Sequence, residues 1–151
     1  MPAAPLSMAS RCSSGLRIQI CTCRPGAVLA IASRAGAVQR YREAFGRLGV
    51  SEVLDVRRPE VIDDATGVFL TDGDPLRIAE TLAGTALGRA VAAGYERGAV
   101  VAGTSSGASA LSRQLICSGD DGVTPRHGAV ELSAGLGLLP DVIIDQHFDR
   151  R

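Results

Sequence analysis

Val100-Val101-Ala102-Gly103-Thr104-Ser105-Ser106-Gly107-Ala108-Ser109 reads as an apolar strand, a sharp turn and the start of a helix. The turn contains the pattern G-x-S-x-G. A serine held in a strained strand-to-helix turn needs small neighbours, because flanking side chains would collide with the backbone there. Such a turn exposes the Ser105 oxygen at the end of a strand. It also sets Ser105 at a helix N-terminus, where backbone N–H groups favour a developing negative charge. The N–H of Ser106 is then a candidate oxyanion donor. The pentapeptide alone is a weak pattern in a chain with 18 glycines. It is equally the sequence of a Gly/Ser-rich loop in which Ser105 or Ser106 caps the helix.

Working outward, the same alternation recurs. Ala27 to Ala32 is a short apolar run that predicts a buried strand. From Gly36 to Leu48, apolar residues at Val38, Tyr41, Phe45 and Leu48 recur at spacings of three and four, which predicts one helical face ended by Gly49. Glu52–Val56 and Gly67–Thr71 read as further strands, and Ala99–Ala102 as the strand before the serine turn. Leu76–Arg97 predicts a helix in two pieces, broken near Gly84-Thr85. Ser106–Cys117 reads as a helix, 118–125 as a loop and Val142–Asp145 as a last strand. Near-continuous apolar strands alternating with helices predict an α/β fold: a parallel sheet covered by helices on both faces. Ligands bind such sheets at the carboxyl ends of the strands. Residues 1–26 have no clear period and are expected to be a poorly ordered or non-native lead-in. Residues 27–151 form the α/β domain.

The totals narrow the chemistry. With 46% apolar residues, the 151-residue chain can build a core. Sixteen basic and 16 acidic residues give a net charge near zero, so neither nucleic acid nor a membrane surface is an expected partner. Every basic residue is arginine, which removes Schiff-base lysines, Ser–Lys dyads and P-loop lysines. Cys12, Cys21, Cys23 and Cys117 lack paired C-x-x-C spacing, so free thiols are expected and no metal or cofactor is. No apolar run approaches the roughly 20 residues that span a bilayer, and no convincing signal peptide opens the chain. A cytoplasmic protein is expected.

Only His127 and His147 can supply imidazole. His147 follows Val142–Asp145 by two residues, which sets it at the same sheet edge as Ser105. A serine hydroxyl needs such a base to become nucleophilic. His127 lies in a polar loop beside Arg126. Asp72-Gly73-Asp74 ends the third strand. Gly73 lets the backbone approach a ligand, so its N–H is a candidate second oxyanion donor, while Asp74 ahead of Pro75 reads as an ordinary helix cap.

Five stretches together resemble the cyanophycinases of peptidase family S51, which also holds the aspartyl dipeptidases called peptidase E. They are Ile31-Ala32-Ser33, Tyr41–Val56 (YREAFGRLGVSEVLDV), Val68–Ile78 (VFLTDGDPLRI), Val100–Leu111 (VVAGTSSGASAL) and Leu132–Arg151 (LSAGLGLLPDVIIDQHFDRR). The closing DQHF after GLGLL is the most specific. The resemblance implies a three-layer, Rossmann-like sheet of the class I glutamine amidotransferase type, here incomplete at both ends. It implies a Ser–His–Glu hydrolase that cleaves cyanophycin, a poly-aspartate backbone with arginine on each β-carboxyl, to β-Asp-Arg dipeptides. By position it makes Ser105 the nucleophile, His147 the base, Gly73 and Ser106 the oxyanion donors, and Asp145, Gln146 and Arg151 substrate contacts.

This sequence departs from the family in three places. Thr-Gly-Gly-Asp-Gln becomes Thr71-Asp72-Gly73-Asp74-Pro75, which adds a charge beside the oxyanion site. Thr-Ser-Ala-Gly becomes Thr104-Ser105-Ser106-Gly107. The chain stops at Arg151, where the family continues into a segment that carries the triad glutamate. The expectation is therefore a fragment of a family member with little or no activity of its own, since loss of the acid in related triads costs about 10⁴-fold. The alternatives are an α-aspartyl dipeptidase of the same family, or a non-catalytic Rossmann-like module that cradles an anion at helix N-termini. If the chain self-associates, a homodimer is the expected assembly.

Overall fold

The computed structural model describes residues 28–32, 38–119 and 126–147, with the first segment as backbone alone. Four strands form one parallel sheet in the order β2-β1-β3-β4: β1 (Val28–Ala32), β2 (Glu52–Asp55), β3 (Gly67–Leu70) and β4 (Val100–Gly103). Crossovers run through α1 (Val38–Arg47) and through the helices α2 (Pro75–Leu82) and α3 (Ala86–Glu96). A single 3₁₀ turn at Pro59–Ile62 lies between β2 and β3.

The layering follows from side-chain alternation on β3, whose four residues are all buried. Val68 and Leu70 point to one face, where they join Ile62, Leu82, Val91 and Ala110. Phe69 points to the other and meets Phe45, Val50 and Val53. Successive residues of a strand face opposite sides, so a strand apolar at every position is one covered on both. The sheet is thus the middle of three layers, the α/β architecture expected. On the α1 side the rings of Tyr41 and Phe69 lie 5.3 Å apart, and those of Phe45 and Phe69 meet edge-on at 5.1 Å.

The helix boundaries follow local chemistry. Gly49 takes a φ of +88° just past α1, a conformation glycine adopts without a Cβ clash. Asp74 caps α2 by accepting from the N–H groups of Leu76 and Arg77, with Pro75 in the first helical position. The expected break after α2 falls at Ala83-Gly84, and the Thr85 hydroxyl caps α3 by accepting from Gly88 N–H at 3.1 Å. Each such cap contributes about 1 kcal/mol.

Three sequence expectations need correction. The helix expected over Ser106–Cys117 is a four-residue turn of helix, α4 (Ser106–Ser109). Gln114–Gly119 is instead a strand, β5, which also takes the first part of the expected loop. It pairs antiparallel with β6 (Val130–Ala134). Leu111 and Leu115 have helical spacing, but Leu115 is fully buried as a strand residue and Ile116 opposes Leu132. The partner strand lies beyond any local window, so long-range pairing overrides the apparent period. Val142–Asp145 joins no ladder among the described residues. Val142 and Ile143 are 50% and 49% exposed, and the segment is held by other means.

Candidate active site

Ser105 occupies the connection between β4 and α4 with φ +52° and ψ −125°. A non-glycine residue in this region carries of order 1–3 kcal/mol of strain and persists only where its surroundings enforce it. The two outer glycines provide that enforcement. A Cβ on Gly103 would fall on the carbonyl of Gly107 and within 2.7 Å of the Ala108 nitrogen. A Cβ on Gly107 would fall on the backbone carbonyls of Leu70 and Thr71. The turn is therefore packed backbone on backbone against the end of β3, with Thr104 N–H donating to Leu70 O at 3.0 Å. Both glycines of G-x-S-x-G are sterically required here, as the sequence argument supposed.

His147 reaches the same place from the far end of the described chain. After β6, Gly135-Leu136-Gly137-Leu138-Leu139 runs against residues 110–113. Leu136 N–H donates to Ala110 O at 2.8 Å, Gly137 N–H to Ser112 O at 3.0 Å and Leu139 N–H to Leu111 O at 2.9 Å. A Cβ on Gly135 would strike the Ser112 carbonyl, which accounts for glycine in that motif. Two fully buried serines then pin the following segment. Ser109 Oγ donates to Ile144 O at 2.9 Å, and Ile144 N–H donates to Ser112 Oγ at 3.3 Å. Side chains thus replace the missing sheet ladder. Reading both serines as residues of one long helix hid this role.

The result is a contact between two residues 42 positions apart: Ser105 Oγ lies 2.9 Å from His147 Nε2. The same hydroxyl lies 2.9 Å from Gln146 Oε1. A hydroxyl has one proton, so imidazole and amide compete for it. Gln146 is 8% exposed. The resemblance makes it a substrate contact, and its amide oxygen sits against the serine hydroxyl. His147 has φ +57° and its other ring nitrogen meets no partner among the described residues. Asp145 is exposed, Arg151 lies outside the described residues, and His127 sits exposed in the turn before β6. Cys12, Cys21, Cys23 and residues 1–26 also lie outside them.

The loop after β3 closes the other side. Asp72, the extra charge anticipated from sequence, is held by α1: Tyr41 OH donates to its Oδ1 at 3.3 Å, and an Arg40 nitrogen lies 3.9 Å away. The Arg40 guanidinium also stands 5.1 Å over the Tyr41 ring. Gly73 N–H, the candidate second oxyanion donor, donates to the Ser106 hydroxyl at 2.9 Å. The backbone N–H of Ser106 has no acceptor among the described residues. Because α4 spans only four residues, the helix dipole invoked from sequence adds little, and individual N–H groups carry the electrostatics. Cys117, the thiol among the described residues, is no rival nucleophile. Burial pushes it above its ordinary value and Glu131 adds to the effect, so it stays protonated at neutral pH.

A strained serine turn at the carboxyl end of a parallel strand, with an imidazole 2.9 Å from its hydroxyl, sits on a three-layer α/β fold. The chain belongs to peptidase family S51, whose family model matches residues 25–151. It is 36% identical to a cyanophycinase of Trichormus variabilis, with 82% of this chain and 46% of that protein covered. It is 34% identical to a cyanophycinase of Geminocystis herdmanii, with 83% and 51% covered. The chain thus spans about half the length of the curated relatives it matches. Among solved structures, a peptidase from an acI-B1 Actinobacterium superposes with a TM-score of 0.63 at 23% identity, covering 81% of this chain and 55% of that one. That likeness is one of fold.

Proposed function

We propose that this chain carries the nucleophile and base of a serine-type peptidase that cleaves cyanophycin to β-Asp-Arg dipeptides. The observation that carries the reading is the 2.9 Å approach of His147 Nε2 to the strained Ser105 hydroxyl, in a chain about one-third identical to cyanophycinases.

Ser105 Oγ attacks a main-chain aspartyl carbonyl as His147 Nε2 takes its proton. The carbonyl oxygen becomes an oxyanion, which accepts hydrogen bonds from the backbone N–H of Ser106 and, once it leaves the Ser106 hydroxyl, from that of Gly73. His147 then returns the proton to the departing amine, the C–N bond breaks, and water releases the acyl group from Ser105 by the reverse sequence. The tautomer required keeps the proton on Nδ1, where an orienting acid belongs. Among the described residues that nitrogen has no such partner, and a Ser–His pair without an orienting acid works about 10⁴-fold more slowly in related triads. Gln146 Oε1, holding the same hydroxyl, fixes the oxygen in place between turnovers.

Release of β-Asp-Arg from purified cyanophycin tests the reading, with Ser105→Ala as the control. Product that disappears in Ser105→Ala supports it. Equal product from both chains contradicts it. Release from aspartyl dipeptides in place of the polymer reassigns the substrate and leaves the nucleophile standing.

A further inference from the structure

The Ser106 side chain is used twice by one partner. Its hydroxyl donates to the Gly73 carbonyl at 2.8 Å and accepts from the Gly73 N–H at 2.9 Å. Ser106 is fully buried and Gly73 half-buried. We propose that the Ser106 hydroxyl is a latch that withholds the Gly73 N–H from the oxyanion site, making Ser106 a positioning residue that acts through Gly73 on the reactivity of Ser105. The proposal rests on the nucleophile reading above.

Oxyanion stabilisation requires a donor 2.7–3.1 Å from the developing charge, and an N–H already bonded to a hydroxyl must break that bond first. The moving part is the Asp72–Gly73 peptide plane, which carries the N–H. The Gly73 carbonyl belongs to the next plane and can keep its bond to Ser106 while the first one turns. Without a Cβ, Gly73 permits the rotation. Asp72 resists it, because its side chain is held by Tyr41 and Arg40 and its carbonyl faces the Thr71 hydroxyl at 3.4 Å. The resting chain therefore has one oxyanion donor ready, the Ser106 N–H, and a second held by the same residue's side chain.

The latch and a merely structural serine predict opposite signs. Ser106→Ala frees the Gly73 N–H, so phosphonylation of Ser105 by a fluorophosphonate should run about tenfold faster, the worth of one hydrogen bond no longer broken on the way to the transition state. Were the hydroxyl only scaffolding, its loss would leave the half-buried Gly73 N–H and carbonyl without their partner, loosen the loop and slow the reaction. The measurement is the rate of adduct formation on the 151-residue chain by intact mass, in the unmutated protein and in Ser106→Ala. Equal or slower labelling of Ser106→Ala, with Ser105 still modified, overturns the latch and spares the nucleophile. Absence of labelling in both overturns the nucleophile reading and the latch with it. Amide hydrogen exchange of the unmutated chain supplies a check that needs no variant: Gly73 should exchange at least tenfold slower than an open loop amide, and exchange at the open rate overturns the latch.

Discussion

Gly107→Ala is expected to destabilise the fold by about 3–5 kcal/mol, a large part of the 5–15 kcal/mol that holds a typical domain together. The added methyl would land on the carbonyls of Leu70 and Thr71. Neither can retreat cheaply. Leu70 is 2% exposed and Thr71 3%, β3 is paired on both sides, and Leu70 O also accepts from Thr104 N–H at 3.0 Å. Moving the elbow instead would pull Ser105 away from His147. Gly46 is the matched control, since nothing lies within 4 Å of a Cβ there and the residue is inside α1. Gly46→Ala should stabilise by about 0.5–1 kcal/mol through helix propensity. Urea unfolding reads both. A Gly107→Ala midpoint unchanged from the parent would contradict the backbone-on-backbone packing.

His147→Ala should slow modification of Ser105 by roughly 10²–10⁴-fold, the range associated with a positioned general base. In the variant the hydroxyl has one acceptor left, Gln146 Oε1, and an amide oxygen accepts a hydrogen bond without removing the proton. The fold should be little affected, because His147 is exposed while the segment's anchors are Ser109 and Ser112. His127→Ala, altering a residue in the turn before β6, should leave the rate unchanged. A His147→Ala rate within twofold of the parent would remove the base from the account.

How much of this was legible in the sequence varied with the range of the interaction. The parallel sheet and its helices were readable because each rests on a local signal: a run apolar at every position in β3, Gly49 after α1, Asp74-Pro75 before α2. The elbow was readable for the same reason, since its two glycines act on the residues between them. What the sequence hid depends on partners far along the chain. The β5–β6 hairpin needs Ile116 to find Leu132, and Leu111 with Leu115 mimicked a helix until it did. The run Val142-Ile143-Ile144 had the composition of a strand but meets no ladder, and two buried serines hold it instead. The Ser106 hydroxyl was legible only as a helix cap. Its bonds to Gly73 cross 33 positions, and no local pattern marks them. Asp72 was visible as an added charge, whereas its contacts with Tyr41 and Arg40 depend on how α1 lies over the sheet edge.

The central claim is that Ser105 is a nucleophile activated by His147, and covalent capture tests it most directly. The folded 151-residue chain would be treated with a fluorophosphonate and its peptides mapped by mass spectrometry, beside Ser105→Ala. The account predicts a single adduct on Ser105, lost in Ser105→Ala. A folded chain that takes no adduct, or one modified at Ser106 or elsewhere with Ser105 untouched, would contradict it.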